Sequence, residues 1–185
     1  MIYQAIHCIE TELKANPPDI KAAAGSISEI SSGNSGDNSD KDIIISLINV
    51  EENRISRDPV NFVRVGTSLL QKNPAVHLNL TIMFTALRSE TAYGTALQNL
   101  QRVIRFLQSK YVFDHDNTPS LDPGIERLIL EMITISFEQL NQLWAVLGGK
   151  YLPSVIYRMR MITIDSITNQ PADLVREIEA NYFLK

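Results

Sequence analysis

The chain has 185 residues, 44% of them hydrophobic, enough for one ordinary domain with a substantial core. Its formal net charge of −4 and pI near 5.4 argue against bulk nucleic-acid binding, which needs a concentrated basic surface. Cys8 is the only cysteine, which excludes an internal disulfide and any multi-cysteine metal site.

A mean hydropathy of −0.05 fits a soluble globular protein, and no apolar run is long enough to span a bilayer. Glu10, Glu12 and Lys14 interrupt the N-terminal stretch too early for a signal peptide, so folding in the cytoplasm is expected. In chain order, Ile2, Ala5, Ile6, Ile9 and Leu13 form one stripe of a helix that Pro17-Pro18 ends. Gly25 to Asp40 is rich in Ser, Gly, Asn and Asp and reads as a mobile loop, with room for a short strand near Ala24–Ile30. Asp42–Glu51 carries apolar groups on both faces, as a central covered strand does. Asn61–Val65 suits an edge strand before the turn-prone Asn73-Pro74.

Strict alternation from Val76 to Ala86 predicts a strand with one apolar face. Thr91 to Lys110 is the best helix pattern, with Tyr93, Ala96, Leu97, Leu100, Ile104 and Leu107 as its buried stripe. Val112-Phe113 begins a short extended piece, and Asn117–Gly124 is a loop. Arg127–Ser136 reads as a strand with Leu128, Leu130 and Met132 on one face. Phe137–Leu147 is a short helix presenting Phe137, Leu140, Trp144 and Leu147, closed by Gly148. Val155–Asp165 is the final strand, with a small helix starting near Pro171. This order fits a single domain of α/β (α+β) class, a mixed, mostly antiparallel sheet flanked by helices. Residues 1–170 form the domain, with a flexible loop at 25–41, and residues 171–185 form a C-terminal arm or short helix.

No set of residues assembles a catalytic centre. His7, His77 and His115 fall on a helix, a strand and a loop, and none has a ligand-spaced partner. His7 and Cys8 are helical neighbours and point about 100° apart, so they make no nucleophilic pair. Asp114-His115-Asp116 is the nearest metal look-alike, with both carboxylates on one side of an extended chain. A solvated acidic loop is the simpler reading, and a small metal-dependent hydrolase is the enzymatic alternative. Gly148-Gly149-Lys150 follows a helix, whereas a phosphate loop precedes one. No catalytic residue, metal ligand or cofactor is therefore expected.

Two surface features suit protein partners. Arg158 and Arg160 share a strand face with Ile156, Ile162 and Ile164 and could meet an acidic surface. The last segment carries Leu174, Val175, Ile178, Tyr182, Phe183 and Leu184, an apolar end for its own domain or a neighbour. Of these, Arg158, Arg160, Leu174, Ile178, Tyr182 and Phe183 are the candidate interface residues.

The run from Phe137 through Trp144, Gly148-Gly149-Lys150 and Tyr151-Leu152-Pro153 to Tyr157 is distinctive. It resembles the N-terminal domain of the tail-terminator, or cap, proteins of extracellular contractile injection systems, of the antifeeding-prophage and Photorhabdus virulence cassette type. Met1–Ile6, Ile48–Glu52, Asn73–Leu80, Gln98–Phe113 and Asn117-Thr118-Pro119 are similar to the same family, in the same order. The resemblance implies a phage tail-terminator-like fold and a structural role. It implies a homo-hexameric ring at the distal end of the inner tube, which ends tube growth and contacts the last tube and sheath layers. The implied partners are thus further copies of the chain, the tube protein and the sheath protein, with no nucleic acid and no membrane. Assembly in the cytoplasm, as part of a phage tail-like particle, goes with that role. Many relatives carry the domain at the start of a longer chain, whereas only residues 166–185 follow the last strand expected here. An adaptor joining tube or sheath to another particle component is the non-enzymatic alternative.

Overall fold

The computed structural model describes residues 1–16, 20–31, 40–53, 62–65, 68–72, 77–87, 93–148, 150–163 and 167–171. Its elements are α1 (Ile2–Ala15), β1 (Ala22–Ala24), α2 (Ile27–Ser31), β2 (Ile43–Glu52), β3 (Phe62–Val65), β4 (Ser68–Lys72) and β5 (Leu78–Ala86). They continue with α3 (Tyr93–Ser109), β6 (Val112–Asp114), β7 (Ile125–Ile133), α4 (Phe137–Val146), β8 (Ser154–Thr163) and β9 (Ile167–Pro171).

The main sheet has the strand order β1-β2-β5-β8-β7-β6. Only β1 runs parallel to its neighbour, so the sheet is mixed and mostly antiparallel. Alternation along β5 puts Leu80, Ile82 and Phe84 on one face. Phe84 meets Tyr157 of β8 edge-on at 5.6 Å. Against this face lie Ala5, Ile9 and Leu13 of α1 and Ala96, Leu100, Val103 and Leu107 of α3, all buried. Each fully buried Leu, Ile or Phe contributes about 1.5–3 kcal/mol relative to exposure, so this layer is the main source of stability. The stripe on α3 is rotated from the expected one. Val103 and Phe106 are buried, whereas Tyr93 and Leu97 are exposed, because the helix contacts the sheet along the 96–99–100–103–107 line.

A second, smaller core lies on the opposite face, where Ile27 of α2 and Trp144 of α4 pack with Met83 and Ile156. Ser136 caps α4, accepting from the Gln139 N–H at 3.2 Å while Gln139 Oε1 accepts from the Ser136 N–H at 3.0 Å. Gly148, with φ 105°, takes the left-handed position just past the helix end. Trp144 anchors the helix, but Phe137 is 91% exposed. As the first residue of α4 it reaches beyond the apolar patch that Trp144, Leu140 and Leu143 cover.

Further expectations change. The segment from Gly25 is not all loop: α2 forms at Ile27–Ser31 because Ile27 and Ile30 find the second core. Residues 32–39 lie outside the described residues. Strand β2 is covered on both faces only in its first half. A bulge between Leu47 and Asn49 shifts its register, and Leu47 and Val50 beyond β1 are 39% and 42% exposed. On β7, Leu128 and Leu130 are buried but Met132 is 50% exposed.

Strand β8 is not the last. It is followed by β9, which joins β3 and β4 in a separate sheet of order β3-β4-β9. Pro171, near which a small helix is expected to start, ends this strand, and residues 172–185, where that helix would run, lie outside the described residues. Strand β3 matches the edge strand expected at Asn61–Val65, although Asn61 itself lies outside the described residues.

Candidate functional site

The residues with chemical potential are held apart or used locally. His7 is exposed, stacks on Tyr3 at 5.7 Å between ring centroids, and its Nδ1 lies 3.4 Å from Glu10 Oε2. Cys8, the next residue, is buried in the main core. Burial pushes its thiol up to about 11, with the Glu12 charge adding and Lys110 partly opposing, so the thiol holds its proton at neutral pH. Strand β6 ends at Asp114, so the alternation that would set Asp116 beside it stops there. Asp114 Oδ1 accepts from the N–H groups of Asp116 and Asn117 at 3.2 and 3.1 Å, closing a turn. Among the described residues no group of three or more His, Cys, Asp and Glu could hold a metal ion.

The same turn closes one edge of the sheet. Asn117 Nδ2 donates to the Val112 carbonyl at 3.0 Å, and its Oδ1 accepts from the Asp114 N–H at 3.2 Å. One amide side chain thus takes up the outward backbone groups of β6, as a neighbouring strand would. Lys110 ties this corner to the helices. Its Nζ donates to Glu12 Oε2 at 2.7 Å and to the Asn117 carbonyl at 2.9 Å, and lies 5.0 Å from the Phe113 ring centroid.

Among the described residues, the second face of the sheet is covered only in part, by α2 and α4. Beyond the α4 patch its cross-strand rows are polar: Asn49, Thr81, Arg158 and Glu131 lie side by side, then Glu51, Asn79, Arg160 and Ile129. The structure brings the two candidate arginines onto this one face, as alternation requires. Their states differ. Arg160 is ion-paired with Glu131, whereas Arg158 is exposed and has no ion pair among the described residues. The other candidates, Leu174, Ile178, Tyr182 and Phe183, lie outside the described residues. This face therefore presents a row of polar side chains with one exposed arginine, Arg158.

Residues 5–177 match the protein family described as the Pvc16 N-terminal domain. The chain belongs to this family. Among solved structures, it is similar to a sheath/tube terminator of an extracellular contractile injection system, PVC, in the extended state. That match has a TM-score of 0.62 at 15% identity and covers 100% of this chain and 64% of the other. The tube-terminating cap of the anti-feeding prophage matches with a TM-score of 0.62 at 12% identity, over 95% of this chain and 59% of the other. The chain therefore spans less than two thirds of each. No curated protein matches it.

At these identities the likeness to the solved structures is one of fold, and the mixed sheet with helices on both faces is that shared fold. Within this Pvc16 N-terminal domain, two features escaped the reading of the residues. From the sequence, Asn117 reads as part of an ordinary loop. Its signal is Asp114 followed three residues later by Asn, which permits paired side-chain bonds to one short strand. Apolar groups on both faces of β2 suggest cover throughout, although the polar Asn49 and Glu51 within the strand mark where cover by the described residues ends.

Proposed function

We propose that this chain is a structural cap subunit that forms a ring at the distal end of the tube and sheath of a contractile injection system. In that role it ends tube growth and anchors the last sheath layer. The observation that carries this reading is the family match over residues 5–177, joined to a fold shared with two terminators. The ring is homo-hexameric, in line with the resemblance of Phe137–Tyr157 to cap proteins. The role is non-enzymatic, and it is supported by a chemistry in which Cys8 is protonated and Asp114 is engaged in its own turn. Tube and sheath proteins are the partners. Arg158 supplies a cation for an acidic surface on one of them, Arg160 shapes the same face, and Leu174, Ile178, Tyr182 and Phe183 form an arm to a neighbour. Assembly takes place in the cytoplasm, onto a phage tail-like particle.

Deleting the gene tests the reading. The expected result is tubes of uncontrolled length, or particles whose sheath does not stay extended, seen by electron microscopy. Particles of normal, controlled length would refute it. Light scattering of the purified chain, with and without tube protein, separates a ring of about six copies from the monomer or dimer expected of an adaptor.

A further inference from the structure

The two edges of the main sheet are finished differently. At β6 the Asn117 side chain bonds the outward groups of Val112 and Asp114. At the other edge β1 pairs only with Ile43–Ile45, and from Ser46 to Glu51 the outer side of β2 has no strand partner among the described residues. Leu47 and Val50 are exposed there. Beside them, past the end of β1, lies a depression of about 300 Å³ lined by Ala24, Gly25, Ile27, Leu47, Ile48 and Leu147. Glu51 accepts from Asn49 Nδ2 at 2.9 Å and makes no ion pair among the described residues. A strand edge open among the described residues, an apolar depression and a carboxylate with no ion pair among those residues together select an added strand with apolar side chains and one cation.

We propose that β3 of a second copy of this chain adds to the open edge of β2, so that one subunit's sheet continues into the next. Strand β3 reads Phe62-Val63-Arg64-Val65, three apolar residues and one cation. It lies at an edge of the β3-β4-β9 sheet, with an outer side unpaired among the described residues. The opposite edge strand, β9, is polar at Thr168, Asn169 and Gln170 and ends in Pro171, which lacks an N–H, so it is the poorer donor. Donor and acceptor are different parts of one subunit. The contact is therefore head-to-tail and closes into a ring when the rotation between copies allows. Before docking, Asn49 Oδ1 holds the Val50 N–H at 2.9 Å, and the bulge at Ile48 interrupts the edge. Both features blunt indiscriminate strand pairing until the matching strand arrives.

This contact rests on the ring reading, and a charge-reversal cycle in the full chain tests it. Glu51→Arg and Arg64→Glu should each weaken self-assembly about tenfold by light scattering in the presence of tube protein, and the double variant should recover it. Circular dichroism checks that each variant folds. In a Cys8→Ala background, Val50→Cys combined with Val63→Cys or Val65→Cys should give copy-to-copy disulfides on non-reducing gels. Single reversals that assemble like the wild type, a double no better than the singles, or disulfides formed only within one chain would each overturn the contact. A wild-type chain that stays monomeric with tube protein overturns the ring and this contact together. A wild-type ring in which Glu51 and Arg64 show no coupling overturns this contact alone.

Discussion

Trp144 and Cys8 show how single side chains set the stability of the two cores. Trp144 fills the second core, 4% exposed, with Tyr151 edge-on at 5.6 Å between ring centroids. Trp144→Ala should cost roughly 3–5 kcal/mol in denaturant unfolding followed by circular dichroism. A loss below 1 kcal/mol would mean that α4 is not anchored there. Cys8 carries a pH signature. Its folded value near 11 lies above the unfolded thiol near ~8.5, so the native state holds the proton more tightly. The stability this provides is complete below the unfolded value and is lost as pH rises through the folded one. Between about pH 8.5 and about pH 11 the wild type should lose stability more steeply than Cys8→Ala. Equal slopes would remove Cys8 from the alkaline response. Trp144 was legible in the sequence because a lone large aromatic at helical spacing has few places to go. Phe137 sits at the same spacing yet projects into solvent, since spacing fixes a direction and not the extent of the surface opposite.

At the level of elements, long periodic segments could be read and short ones could not. Helices α1 and α3 and strand β5 were legible because many residues repeat one spacing. Strands β1, β4 and β9 and helix α2 have three to five residues each, too few to show a period. Their place is decided by partners distant in sequence, as when Ala22–Ala24 pair with Ile43–Ile45. The finish of an edge is equally non-local. Asn117 closes β6 only because the turn at 115–117 returns its amide to Val112. Asn117→Ala should therefore destabilise the chain by about 0.5–1.5 kcal/mol, measured by chemical unfolding, because it strips partners from the exposed backbone edge of β6. Asn117→Asp keeps an acceptor for the Asp114 N–H but loses the donor to Val112, and should recover only part of that loss. An alanine variant as stable as the wild type would show that water replaces the amide at no cost.

For the whole molecule, the α+β class and the main mixed sheet followed from the alternation of helical and extended periods. The β3-β4-β9 sheet did not, because it joins a hairpin to a strand about a hundred residues further along the chain. The candidate site was legible only in part. Strand alternation alone puts Arg158 and Arg160 on one face, but that Arg160 and not Arg158 is ion-paired among the described residues depends on Glu131 of β7. The open side of β2 depends in turn on how short β1 is. The two cores differ in size, and the chain holds a single tryptophan, placed in the smaller one. Nature has thereby installed an optical reporter on one layer only. Trp144 emission follows the α2–α4 side, whereas far-ultraviolet dichroism follows the sheet and the larger helices. If the smaller layer opens first, the emission transition will come at lower denaturant than the dichroism transition. Coincident curves would show that both layers unfold as one cooperative unit.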